Sequence, residues 1–278
     1  MSNLMQVDEL ARRLGEPGLR IVDVRFDLND TEAGEREYRK GHLPGAVYAH
    51  LDRDLSAPLG RHGGRHPLPD PERLAGRLGE LGIGNDDLVV AYDAGNGMVA
   101  SRLWWLLRYL GSDRVKVLDG GFAAWTDAGH PVTREVTEPS GARFEPRVRS
   151  EMAVDRDYVL RNLGVAGKVL VDARAPQRYR GEVEPLDPIA GHIPSAINIP
   201  FEGNLEGGRF RSSSQLRRRY ETLADADEVV VYCGSGVSAA HDLLAMEEAG
   251  LEGAKLYHGS WSDWCSFDDA PVATGSES

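Results

Sequence analysis

The chain repeats itself once at long range, and that repeat constrains its architecture more than any other feature. Val22-Asp23-Val24-Arg25, followed by Gly41-His42-Leu43-Pro44-Gly45-Ala46, returns as Val171-Asp172-Ala173-Arg174, followed by Gly191-His192-Ile193-Pro194-Ser195-Ala196. Val89-Val90-Ala91-Tyr92-Asp93 matches Val230-Val231-Tyr232-Cys233 at the end of a strand. Leu118-Asp119-Gly120-Gly121-Phe122-Ala123-Ala124-Trp125 matches Tyr257-His258-Gly259-Ser260-Trp261-Ser262-Asp263-Trp264. The blocks keep their order, at offsets of 149, 150, 140 and 139 residues. Such a period exceeds any solenoid unit and matches the common size of a whole domain. The 278 residues therefore read as two copies of one domain, residues 1-132 and 151-278, joined by a Pro- and charge-rich linker over 133-150. With 41% hydrophobic residues, each copy can build its own core.

Within each copy, short β-branched runs alternate with helix-compatible segments. Strands are expected over Ile21 to Val24, Leu88 to Tyr92 and Val115 to Leu118, with a helix over Ala100 to Leu110 that Gly111 stops. The second half repeats this with strands over Val169 to Asp172, Val229 to Tyr232 and Ala254 to Tyr257, and a helix over Val237 to Glu248. The alternation predicts an α/β fold of two tandem domains, each a parallel sheet flanked by helices. Ligands of such sheets bind beyond the carboxyl ends of the strands.

The copies differ there in one chemically decisive way. Asp93 ends a strand in the first copy where Cys233 ends one in the second. A thiol between a strand end and a helix start faces converging backbone N–H groups and the positive end of the helix dipole. Both favour the thiolate, which is the nucleophile. The competing assignment is a buried strand-end cysteine beside an ordinary turn. Gly234 and Gly236 allow backbone conformations that curl amides into an anion-binding nest, and Ser235 and Ser238 can add hydroxyl donors. Here too there are plain alternatives, a routine βα turn for the glycines and a helix N-cap for Ser238.

These blocks resemble the rhodanese family of sulfurtransferases in its tandem two-domain form, over nearly the whole chain. The resemblance implies that only the second domain reacts, with Cys233 carrying the transferred sulfur as a persulfide. The loop Cys233-Gly234-Ser235-Gly236-Val237 resembles that of the 3-mercaptopyruvate branch; thiosulfate-using relatives commonly carry basic residues after the cysteine. Arg178 matches the family arginine that binds the anionic donor, with a surface arginine as the alternative. A second arginine usual in mercaptopyruvate users is replaced here by Leu186, within Glu184-Pro185-Leu186-Asp187. A serine–histidine–aspartate relay of some relatives maps onto Ser235, His66 and Asp52. Because the loop Leu55 to Arg65 is longer than in those relatives, a solvated loop histidine is the plainer expectation for His66. By resemblance, Phe26, Met98 and Val99 of the first domain line the apolar side of the site.

The remaining residues exclude more than they assign. Net charge is −12, and the one basic run, Arg217-Arg218-Arg219, reads as a solvated helix face, so nucleic acid is not an expected partner. No stretch approaches the roughly 20 apolar residues of a membrane span. The N-terminal residues show neither a basic nor a long apolar region, so no signal peptide is expected. Two cysteines, Cys233 and Cys265, make no disulfide framework and suit a reducing, cytoplasmic setting; Cys265 is expected to be a buried passive thiol. Asp23 with Arg25 and Asp172 with Arg174 read as structural pairs, and His42 and His192 as turn residues because both copies have them. The tail Thr274 to Ser278 is expected to fray. No metal-ligand spacing is present and no cofactor is expected. A cysteine phosphatase would need an arginine six residues after the cysteine, where Ala239 stands. The expected partners are a small-molecule sulfur donor, cyanide or a thiol as acceptor, and a thioredoxin-like reductant. Thiosulfate as donor, or a non-catalytic sulfur-carrier or regulatory module, are the rival functions.

Overall fold

The computed structural model describes residues 2–276 and resolves into two compact units. The first unit comprises the chain up to Ala57, Pro69–Arg149 and Gly207–Phe210; the second comprises Pro58–Leu68, Ser150–Glu206 and the chain from Arg211. Eleven residues from the first half of the sequence, Pro58–Leu68, thus belong to the second unit.

In the first unit the elements run β1 (Leu4–Met5), α1 (Val7–Arg13), β2 (Leu19–Asp23), α2 (Ala33–Lys40), β3 (Ala46–Tyr48), α3 (Pro71–Glu80), β4 (Leu88–Tyr92), α4 (Met98–Tyr109), β5 (Val115–Leu118) and α5 (Gly121–Asp127). The five strands form one sheet in the order β1-β5-β4-β2-β3, every pairing parallel. β4, Leu-Val-Val-Ala-Tyr, is buried along almost its whole length because helices cover both faces of a parallel sheet. Helix α3 begins where Asp70 accepts the N–H groups of Glu72 and Arg73, with Pro71 preset for the first turn.

The second unit repeats this plan. It runs β6 (Ala153–Val154), α6 (Arg156–Arg161), β7 (Lys168–Asp172), α7 (Pro176–Tyr179), β8 (Ala196–Asn198), the strands β9 (Leu205–Glu206) and β10 (Arg209–Phe210) of a short hairpin, α8 (Ser213–Arg219), β11 (Glu228–Tyr232), α9 (Ser238–Ala249), β12 (Lys255–Tyr257) and α10 (Ser260–Trp264). Residues Gly207–Phe210 of the hairpin are grouped with the first unit. The five-stranded order β6-β12-β11-β7-β8 is that of the first sheet, again all parallel. β11 lies at the centre, with Tyr232 level with Asp172 of β7.

The repeated blocks are structural clasps. Arg25 holds the Asp23 carboxylate through Nε and Nη2 and donates to Gly41 O at 2.7 Å; Arg174 does the same to Asp172 and Gly191 O at 2.7 Å. His42 stacks on Tyr38, and His192 on Tyr179, each with Nδ1 2.7 Å from that tyrosine's carbonyl. All five tryptophans are fully buried.

Two expectations need correction, and the linker gains detail. Residues 133–149 contain no helix or strand, yet they are strapped to the first unit: Ala142, Arg147 and Arg149 donate backbone N–H groups to Gly79, Leu110 and Tyr109. Arg217 and Arg218 are exposed, but Arg219 turns inward to Pro200 O at 2.6 Å and Asn204 Oδ1 at 3.0 Å. In the tail, Gly275 N–H donates to Arg180 O at 3.0 Å, while Glu277 and Ser278 lie outside the described residues.

Candidate active site

β11 delivers Cys233 to the carboxyl edge of the second sheet, 1% exposed. The loop turns at once: Gly236 adopts φ +78°, a conformation costly for a side chain, and its N–H donates to Cys233 Sγ at 3.1 Å. α9 then opens with Val237 at its N-cap position, so Ser238 is the first helical residue and not the cap. The loop is pinned from the other side by α10, where Trp261 and Ser262 donate backbone N–H groups to Cys233 O and Gly234 O, both at 2.9 Å.

Ser260 is a site residue that pattern-reading misses. Its hydroxyl accepts the N–H of Cys233 at 3.1 Å and donates to Tyr257 O at 2.9 Å. It does so at φ +57°, a left-handed conformation where the first copy has Gly121 at φ +56°. A non-glycine there stores strain of order 1 kcal/mol or more. The Gly121/Ser260 mismatch between the repeats is the signal that could have found it.

Segment Pro58–Leu68 supplies the second layer of the site. It is held by Gly63 N–H on Asp263 Oδ1 at 2.6 Å, by Arg65 N–H on Ser262 Oγ at 3.0 Å, and by His62 stacked 3.9 Å from Phe267. This brings His66 Nδ1 to 2.7 Å from Ser235 Oγ. His66 is 5% exposed, so the solvated-loop expectation does not hold: its chain neighbours are anchored on α10 and draw the ring inward. The Ser235 hydroxyl therefore engages His66. The hydrogen bond recorded to Cys233 Sγ comes from the Gly236 amide.

Arg178, on α7, lies against the loop and is not a free surface arginine. Its Nε and Nη2 bind Glu184 at 3.2 and 2.7 Å, and Nη2 also reaches Asp187 at 3.2 Å. Arg65 pairs with the other oxygen of Asp187. Burial pushes the Asp187 carboxyl above the ordinary carboxylate range, against the pull of Arg65. Burial likewise pushes the Cys265 thiol up to about 12, in keeping with a passive role.

The other candidates lie in the first unit. Asp52 follows β3, its backbone N–H donating to His50 Nδ1 at 3.1 Å. Phe26 meets His50 edge-on, with ring centroids 5.4 Å apart. Met98 and Val99 open α4. The first unit also shows what occupies its own version of the cysteine loop. Asp93 Oδ1 accepts N–H groups from Gly95 and Gly97 at 3.0 Å, and Oδ2 from Val99 at 3.0 Å and Ala100 at 3.3 Å. Among the described residues no His/Cys/Asp/Glu group has metal-binding geometry, and no helix is long and apolar enough to cross a membrane.

The rhodanese-like domain profile matches this chain twice, at residues 6–128 and 155–267. The chain belongs to the rhodanese-like family. It is 47% identical over 281 residues, 99% of each chain, to a Pseudomonas aeruginosa protein named "Probable 3-mercaptopyruvate sulfurtransferase". It is 36% identical over 270 residues to the thiosulfate sulfurtransferase of Cricetulus griseus, covering 93% of this chain and 88% of that one. The crystal structure of the Escherichia coli 3-mercaptopyruvate enzyme superposes with a TM-score of 0.81 at 32% identity, covering 94% of this chain and all of that one.

Proposed function

We propose that this rhodanese-family sulfurtransferase takes sulfur from 3-mercaptopyruvate onto Cys233 and passes it to cyanide or a thiol in a ping-pong cycle. The Cys233 thiolate attacks the donor sulfur, forming an S–S bond. The donor C–S bond breaks, its electron pair leaving on carbon as the enolate of pyruvate. The donor thiol's proton goes to that carbon, giving pyruvate and the anionic persulfide. The acceptor then attacks the outer sulfur, and the S–S electron pair returns to Cys233. Ser235 and His66 form the proton-handling pair. Arg178 faces the donor's carboxylate. Gly234, Gly236, Val237 and Ser238 form the turn that cradles the sulfur.

One observation carries this: the cysteine stands in a loop whose duplicate holds an anion. In the first unit four backbone N–H groups converge on the Asp93 carboxylate. The residues at the same repeat positions in the second unit are Ser235, Val237, Ala239 and Ala240, around a thiol already engaged by Gly236. A loop of this form presents backbone donors to an anionic sulfur such as a persulfide. Both cysteines are unbridged, which suits a reducing, cytoplasmic compartment and a thioredoxin-like reductant as acceptor.

The donor is chosen on the uncharged Gly234-Ser235-Gly236 turn, since a compact dianion such as thiosulfate gains from cations beside the thiolate. Relatives carry both names, so the test is direct. kcat/KM is measured for mercaptopyruvate and thiosulfate at equal subsaturating concentrations, with intact mass after donor treatment. Mercaptopyruvate should be preferred, with one sulfur added per chain. Faster turnover of thiosulfate would reassign the donor, and no added sulfur with either would reduce the protein to a binding module.

A further inference from the structure

We propose that Arg65 is a second donor-recognition arginine, acting beside Arg178 on the donor carboxylate through guanidinium nitrogens that face Gly234. The inference deepens the function proposed above and rests on its donor assignment. In mercaptopyruvate users that this loop resembles, the second arginine comes from the stretch that here reads Glu184-Pro185-Leu186-Asp187, where Leu186 is 41% exposed and has no charge. The structure fills the gap from a distant part of the chain. A β-carbon built on Gly234, the residue after the nucleophile, would stand 2.8 Å from Arg65 Nη2 and 3.5 Å from Arg178 Nη1. Gly234 is not held to glycine by its own backbone, whose φ is not positive; its bare α-carbon leaves the space that Arg65 Nη2 occupies.

The neighbouring acids orient the pair without using up these nitrogens. Asp187 takes Arg65 Nη1 on one oxygen and Arg178 Nη2 on the other. Glu184 takes Nε and Nη2 of Arg178. Arg65 Nε is buried with no hydrogen-bond partner among the described residues, so protein groups alone leave this guanidinium unsatisfied. Arg65, Arg174 and Arg178 face Asp172, Glu184 and Asp187, so the cluster is formally neutral. Such a cluster offers aimed donors with no surplus charge. It suits the single carboxylate of a 2-keto acid better than a dianion.

The test compares mercaptopyruvate with 1-mercaptopropan-2-one, the same mercaptoketone without the carboxylate. Arg65→Ala should lower kcat/KM for mercaptopyruvate about 10- to 100-fold, mainly through KM, the worth of one hydrogen bond to a charged group. Arg65→Lys should recover part of the loss. The carboxylate-free donor should be unaffected within about twofold by the same comparison. Equal losses on both donors, or no loss in Arg65→Ala while the wild type loads sulfur normally, would overturn the role of Arg65. A wild type that gains no sulfur from mercaptopyruvate overturns the donor assignment, and this role with it.

Discussion

His66 Nδ1 stands 2.7 Å from Ser235 Oγ, although 169 residues separate them in the chain. Both side chains are buried, and Ser235 leaves Cys233 Sγ to the Gly236 amide. In the donor half-reaction proposed above a thiol proton must reach carbon, and this pair is its proposed carrier. Ser235→Ala and His66→Asn should each slow persulfide formation from mercaptopyruvate by about 100-fold, the low end for lost acid–base catalysis. Discharge of a preloaded persulfide to cyanide needs no such proton and should keep its rate. Rapid-quench mass spectrometry resolves the two half-reactions, and equal slowing of both would make the pair structural.

Much of this fold was legible because the repeat was. β4 and β5 have the bounds that their β-branched runs predict, and β11 and α9 differ from expectation by one residue at their ends. The edge strands β1, β3, β6 and β8 were not foreseen; at two or three residues each they carry too little pattern to stand out. Cys233 and its turn were visible from strand-end chemistry and the contrast with Asp93. Arg65 was not, since nothing local to Gly63-Gly64-Arg65-His66 says that this segment packs on α10 of the other half. That information lies in tertiary anchors such as Gly63 N–H to Asp263. Ser260 was hidden because its left-handed backbone cannot be read from its own residue type.

Asp93 is the first unit's internal anion, and its removal should cost stability. Asp93→Ala would leave the N–H groups of Gly95, Gly97, Val99 and Ala100 without their acceptor in a buried turn. A loss of about 2–4 kcal/mol is expected from unsatisfied buried donors. Asp93→Asn keeps one acceptor oxygen and should lose less. Urea denaturation of the three proteins checks this ranking; an alanine variant as stable as the wild type would mean that the loop relaxes around the vacancy.

The two thiols should behave as opposites. Both thiols are buried; the Cys265 thiol is pushed up to about 12 by that burial, whereas Cys233 has an amide donor on its sulfur. Iodoacetamide at pH 7.5 should modify Cys233 and spare Cys265. Cys233→Ser should fold normally, gain no sulfur mass from the donor and show no turnover, because a hydroxyl cannot form a persulfide. Peptide mapping that located the label or the added sulfur on Cys265 would refute the assignment.

Asp242 gives the stability of the second unit a pH dependence of defined sign. It is completely buried on α9, with Oδ1 accepting from Asn204 at 2.6 Å and Tyr220 at 3.1 Å, while Oδ2 has no partner among the described residues. Burial pushes its carboxyl from 3.8 up to about 8, against those hydrogen bonds and the charge of Arg219. Between the two values the folded chain keeps a proton that the unfolded chain has released. This group's contribution is therefore complete below about pH 4, declines as pH rises through the window, and is lost above about pH 8. The slope cannot exceed about 1.4 kcal/mol per pH unit. Asp242→Asn removes the titration and keeps an acceptor for Asn204 and Tyr220. The stability of the variant relative to the wild type should thus climb steadily from pH 5 to pH 8 and then level off, read from chemical denaturation at each pH. A difference independent of pH over that range would mean that Asp242 is already ionised in the folded protein.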